Sequence, residues 1–141
     1  MKILLVAEYR DGKLLGTSSE LINFASQLGA ESAMFLVGSE SSLPGYSGKL
    51  YLADIGQAGE FNPSQHKQLL LEVIEKEQPE MVVLPHSSYG WDLAPRIAIA
   101  LKAAQISEVV EVKDGNLVVP SCNAKLRRKV KATTTISVVT L

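Results

Sequence analysis

Little in this chain is available for disulfide or metal chemistry. It holds one cysteine, Cys122, which excludes an internal disulfide framework and a cysteine-rich metal site. Two histidines, His66 and His86, are too few and too widely spaced to suggest a metal centre. Aromatic residues make up only 6% of the chain, so it has little with which to build a stacking platform for nucleic-acid bases. Charge of neither sign prevails: 14 Lys and Arg stand against 15 Asp and Glu, for a net charge of −1. Such a balance gives no overall attraction to nucleic acid or to an acidic membrane. No apolar run approaches the roughly 20 residues that span a bilayer. The opening MKILLVAEY meets Glu8, Arg10 and Asp11 before it reaches the apolar length and small-residue cleavage site of a signal peptide. A cytoplasmic protein without membrane insertion is the expectation.

At 141 residues, 46% hydrophobic and 21% charged, the chain is expected to form one globular domain over 1–141. A domain of that size buries roughly 68–70% of its unfolded surface. Ile3 to Ala7 is a continuous apolar run, the pattern of a strand covered on both faces. Thr17 and Glu20 have the spacing of a capping box, Leu21, Ile22, Ala25 and Leu28 share a helical face, and Gly29 stands where a helix ends. AMFLVG (33–38) and KLYLAD (49–54) read as strands, with a loop over 39–48 between them. Asn62 before Pro63 predicts a helix start, and Pro79 bars the helix from continuing. MVVLP (81–85) is the fourth strand. Pro95 then places the start of the following helix near Trp91 or Asp92, because proline is tolerated in the first helical turn. Strands alternating with helices imply a mostly parallel open sheet with helices on both faces. After residue 107 the pattern changes. EVVEVK, a turn at Asp114-Gly115 and NLVVP predict a hairpin, and the Val- and Thr-rich tail predicts further antiparallel strands at the C-terminal end.

Ligands of open α/β sheets bind beyond the carboxyl ends of the strands. Two segments belong at such ends: Ala7 and Glu8, closing the first strand, and Ser87, Ser88 and Gly90, between the fourth strand and its helix. They are weak candidates for a nucleotide cleft. No lysine lies in the loop, neither phosphate-loop nor dinucleotide glycine motif is present, and Asp92 puts a negative charge beside the helix start. The structural alternative is that Ser88 and Asp92 cap the helix while Gly90 permits a bend. KLRRKVK (125–131) holds five of the fourteen basic residues. Lys125, Arg127, Lys129 and Lys131 fall on one side of a strand, which describes a solvated or partner-facing basic face better than a nucleic-acid site. Asp92, Arg96, Arg127 and Lys129 are the candidate partner-contact residues. His86 reads as a loop or interface residue, His66 as a surface residue and Cys122 as a small apolar strand residue. No nucleophile, base and orienting group share a spacing that marks a catalytic site, and no metal set is present.

In order along the chain, ILLVAEYRDGKL, FLVG, SSYGWDLAPRIAIAL, AQISEVVEV and VVPSCNAKLRRKVKATTTISVVTL resemble the N-terminal domain of the electron-transfer flavoprotein alpha subunit. The most specific stretch is Gly90 to Arg96, with Asp92, Leu93, Pro95 and Arg96 in place; the family pattern has arginine where this chain has Trp91. The resemblance implies an adenine-nucleotide-alpha-hydrolase-like fold that pairs with a beta subunit as a heterodimer. It implies FAD in the complete assembly, held on a separate domain, and no cofactor in this part. It also implies electron transfer from dehydrogenases toward a quinone reductase, and a non-enzymatic, scaffold role for this domain. The competing readings are a stand-alone nucleotide-binding module similar to universal stress proteins, and hydrolysis through Ser88 or Cys122.

Overall fold

The computed structural model describes residues 1–60 and 62–141. Its elements run β1 (Lys2–Ala7), β2 (Tyr9–Arg10), β3 (Lys13–Leu14), α1 (Thr17–Gln27), β4 (Glu31–Gly38), β5 (Lys49–Asp54), α2 (Ile55–Ala58), α3 (Pro63–Glu77), β6 (Met81–Leu84), α4 (Ser88–Leu101), β7 (Ala104–Ile106), β8 (Glu111–Lys113), β9 (Asn116–Ser121), β10 (Leu126–Val130) and β11 (Ser137–Thr140). The central sheet has the order β5-β4-β1-β6-β11-β7. All of its pairings are parallel.

The apolar run that opens the chain explains the middle of this sheet. Along β1, Leu4 and Val6 join one core, while Ile3, Leu5 and Ala7 join the other. The first core is closed by Leu70, Val73 and Ile74 of α3 and by Leu93, Ala94, Ile97 and Ala98 of α4. The second is closed by Leu21, Phe24 and Ala25 of α1 and by Leu117 and Val119 of β9. Helices therefore cover both faces, as the alternating pattern predicts. Each fully buried Leu or Ile contributes about 1.5–3 kcal/mol, which makes this double-sided burial the main driving force for the sheet. Among the described residues no helix is long and apolar enough to cross a membrane.

Local signals place several element ends. Asn62 accepts the Gln65 N–H at 3.2 Å, capping α3 ahead of Pro63. Gly29, at φ +59°, ends α1 with its N–H on the Ser26 carbonyl and the Ala30 N–H on that of Ala25. At the other end of α1 the capping-box reading fails. Thr17 is the first helical residue, Gly16 precedes it without a side-chain cap, and the Thr17 hydroxyl is buried without a partner among the described residues.

The chain's last third departs further from the sequence reading. β8, β9 and β10 form the expected antiparallel sheet, with Asp114 and Gly115 turning the first hairpin. The terminal strand β11 does not join them. It enters the central sheet between β6 and β7, parallel to both, with Val138 and Val139 fully buried. Val138 joins one core and Val139 the other, so coverage of both faces explains the continuous apolar character of that segment. Cys122 lies in the turn between β9 and β10, exposed, in a run of positive-φ residues with Asn123 and Ala124. The apolar strand role expected for it is thus incorrect.

Candidate functional site

From β1 the chain moves outward to β4 and β5, then returns to β6 on the other side of β1. Strand order reverses there, so the carboxyl ends of β1 and β6 flank the crevice where open α/β sheets hold their ligands. The two segments singled out in the sequence, Ala7-Glu8 and Ser87–Gly90, come together at that point.

What fills the crevice is the Glu8 side chain. Glu8 is 2% exposed, and its carboxylate accepts from Arg10 Nη2 at 2.5 Å on one oxygen and from Ser87 Oγ at 2.6 Å on the other. The same Arg10 nitrogen reaches Ser88 Oγ at 3.3 Å. Arg10 belongs to the hairpin β2–β3, which lies over the strand ends as a strap and is tethered again where the Asp11 N–H meets the Glu60 carboxylate at 2.7 Å. Arg10 Nε is buried without a partner among the described residues. A buried carboxylate is tolerated when it is paired and hydrogen-bonded, and both conditions are met here.

The start of α4 differs from the expectation in two respects. The helix begins at Ser88, not near Trp91 or Asp92, and Pro95 lies inside it. Proline is accommodated on a half-exposed side of the helix at the loss of one hydrogen bond to the Trp91 carbonyl. The cap is Ser87, whose Oγ accepts the Gly90 N–H at 3.3 Å, and neither Ser88 nor Asp92 takes that role. Nor is Gly90 needed for a bend, since it is helical and its φ is not positive. It is needed because α4 sits against the end of β6: a Cβ at position 90 would stand 1.8 Å from the Pro85 carbonyl oxygen. Ala7 points away from the crevice, into the core on the α1 side.

Below the helix start, Tyr89 and His66 form a buried polar contact that the sequence did not disclose. His66 is 2% exposed rather than a surface residue. Its Nε2 donates to the Gly59 carbonyl at 2.6 Å, which leaves Nδ1 to accept from the Tyr89 hydroxyl at 3.1 Å. Burial pushes the Tyr89 phenol well above its usual pKa, and the nearby Glu8 charge adds to the rise. On the outer side, His86 bonds Thr140 and Trp91.

The remaining candidates are spread over the surface. Asp92 and Arg96 form an i,i+4 ion pair at 3.2 Å on the exposed face of α4. Arg127 and Lys129 lie on β10 and reach across β9 to Glu111 and Asp114, each at 3.0 Å. The basic run is thus partly neutralised within its own sheet, by exposed pairs that add little stability.

The residues of the crevice do not fit a nucleotide phosphate, and hence not the pyrophosphate of FAD. The free N–H groups of a helix start and its dipole attract an anion. Here the cap has taken one N–H, and a carboxylate already occupies the space in front of the helix. The adjoining cleft between α3 and α4 is lined by Glu60, His66, Tyr89, Asp92 and Leu93. Two more acids at its rim make it no better suited to phosphate.

Residues 3–141 match the electron transfer flavoprotein domain. The electron transfer flavoprotein subunit alpha of Bacillus subtilis (strain 168) is 27% identical over 127 residues, covering 83% of this chain and 39% of that protein. The acryloyl-CoA reductase electron transfer subunit beta of Anaerotignum propionicum is 29% identical over 109 residues, covering 70% of this chain and 30% of its own. The electron transfer flavoprotein subunit alpha of Megasphaera elsdenii is 24% identical over 120 residues, 78% of this chain and 36% of that protein. The chain spans less than two fifths of the length of these curated relatives. With a family match over nearly its whole length, on a parallel α/β sheet of the expected kind, the chain belongs to the electron transfer flavoprotein domain family and is of the alpha-subunit type.

Proposed function

We propose that this chain serves as the pairing scaffold of an electron-transfer flavoprotein alpha subunit. It is one domain over 1–141, a carrier component with no catalytic residue of its own, and it forms with a beta-type subunit the base for a flavin held on a separate domain. Electrons pass from dehydrogenases through that flavin toward a quinone reductase, and nothing in the relay requires a redox group on these residues. The observation that carries this reading is Glu8. A fully buried carboxylate, paired with Arg10 and Ser87, fills the crevice at the carboxyl ends of β1 and β6, where open α/β sheets hold their ligands. Asp92, Arg96, Arg127 and Lys129, on exposed surfaces away from the core, are assigned to partner contacts; Glu8, Ser87 and Ser88 are assigned to a vestigial cleft, with Ala7 and Gly90 packing behind it.

Co-expression with the beta-type subunit from the same source tests the reading directly. The two chains are expected to co-purify in equal amounts, and the isolated chain to show no flavin absorbance. Stoichiometric FAD on the isolated chain, or failure of the two chains to associate at any ratio, overturns it. The stand-alone nucleotide-module reading is tested by the same sample. A ligand at 100 times its Kd stabilises by about 2.7 kcal/mol, so AMP or ATP at millimolar concentration would raise the melting temperature visibly if the crevice accepted it. No rise is expected.

A further inference from the structure

We infer that His86 is a proton-operated clamp on Trp91, so that the orientation of the one tryptophan, at the exposed start of α4, is under control of pH.

Trp91 is an unusual surface residue: it is 64% exposed, yet its ring is not free. Its indole Nε1 lies 2.9 Å from His86 Nε2, and the two rings pack edge to face with centroids 5.1 Å apart. An indole nitrogen can only donate. His86 Nε2 must therefore carry the lone pair, and the ring proton must sit on Nδ1, which donates to Thr140 Oγ1 at 2.8 Å. Thr140 is 1% exposed, on β11, and its oxygen also receives the Glu108 N–H at 3.0 Å. The backbone holds the histidine as well, since the His86 N–H donates to the Leu141 carbonyl at 2.6 Å. One side of the imidazole is thus anchored to the buried end of β11, and the other presents its only lone pair to the tryptophan.

This arrangement requires neutral histidine. A proton taken up at Nε2 removes the acceptor and sets an imidazolium N–H against an indole N–H at 2.9 Å. The anchored side cannot turn away without breaking the Thr140 bond, so the exposed partner is the one that moves. Of the acids on the packed elements, Asp92, next along α4, is paired with Arg96, and Glu8, ahead of the helix, with Arg10 and Ser87. Glu108 gives its backbone N–H to Thr140 and is exposed to solvent. A proton on Nε2 therefore opens the clamp. Trp91 adjoins the Asp92–Arg96 face, so its release changes the shape of a surface assigned above to partner contact; the clamp itself does not depend on that assignment.

Because the chain has one tryptophan, a single indole N–H resonance and a single intrinsic fluorophore report on the clamp without labelling. Two-dimensional 15N–1H spectra and emission are recorded between pH 8 and pH 5 on the whole chain and on His86→Gln. In the native chain the indole resonance is expected to shift, its hydrogen exchange to speed up about tenfold beyond the intrinsic pH effect, and emission to be quenched as the pH falls. In His86→Gln all three changes are expected to vanish, while thermal unfolding and the rest of the spectrum show that it stays folded. Thr140→Ser, which keeps the anchoring oxygen, is expected to titrate like the native chain. An indole resonance and emission unchanged from pH 8 to pH 5, or the same titration in His86→Gln, would overturn the clamp.

Discussion

Replacing Gly90 by alanine tests how tightly the candidate site is built. In an ordinary helix interior that substitution is favourable by about 1 kcal/mol, because glycine is the poorer helix former. Here the added methyl would stand 1.8 Å from the Pro85 carbonyl oxygen and 3.0 Å from its carbon. A carbon comfortably approaches a carbonyl oxygen to about 3.3 Å, so α4 and the end of β6 would have to part by about 1.5 Å. The obstacle is backbone, with no rotamer to yield, and α4 is fixed on its buried side by Leu93, Ala94, Ile97 and Ala98. Overpacking ordinarily costs 1–3 kcal/mol, and an unyielding contact belongs at or above the upper end. We therefore expect Gly90→Ala to lose about 3 kcal/mol or more, a large part of the 5–15 kcal/mol typical of a domain. That corresponds to a melting temperature lower by about 10 °C. Thermal unfolding followed by circular dichroism measures it, with Gly16→Ala as the control, since a Cβ there meets nothing within 4 Å. A Gly90→Ala melting temperature equal to or above that of the native chain would refute the close-approach reasoning.

Other perturbations separate the remaining interactions. Arg10→Met strands the Glu8 charge and is expected to cost about 2 kcal/mol in denaturant unfolding, less than for a wholly buried pair because Arg10 is 35% exposed; the double change Glu8→Gln with Arg10→Met should restore much of the loss. Tyr89→Phe leaves His66 Nδ1 buried without its donor and should cost about 1–3 kcal/mol, whereas a loss under about 0.5 kcal/mol would show that the contact is idle. Glu77, at the opposite end of the sheet, is held by Lys2 at 2.5 Å, Lys49 at 2.6 Å and the Tyr51 hydroxyl. Hydrogen bonds from Lys2, then Lys49 and Tyr51, lower its pKa from 4.5 to about 2, while the same carboxylate raises that of Lys49. A depressed carboxylate stabilises the fold above the ordinary value, and that stability is lost as pH falls from 4.5 toward about 2. Solvent screening at the exposed Lys49 limits the loss to the order of 2 kcal/mol. Glu77→Gln should flatten that part of the acid unfolding profile, and an unchanged slope would exclude the mechanism.

The chain's own residues decided much of the architecture, because the signals involved are local. Ile3 to Ala7 has to be covered on both faces, Asn62-Pro63 starts a helix by capping chemistry, and Asp114-Gly115 supplies the left-handed residues of a hairpin. The ends of β1 and β6 were legible as the place to look for a ligand, since an alternating strand and helix pattern implies where the strand order reverses. What the crevice contains depended on tertiary structure. Glu8 reads as a candidate lining residue of a nucleotide cleft until Arg10 and Ser87, the latter 79 positions away, converge on it. His66 looks like one polar residue of an amphipathic helix, and only the arrival of Tyr89 and the Gly59 carbonyl makes its burial affordable. Gly90 suggests a bend, and its actual constraint, the Pro85 carbonyl, exists only once α4 is laid against β6. The final strand shows the same division: its valines announce a strand, but joining a hairpin or entering the central sheet between β6 and β7 are equally compatible with that pattern. Hydrophobic period and caps act within a few residues and can be read in order, whereas the partner of a buried charge or an edge is fixed by which distant segments share a boundary.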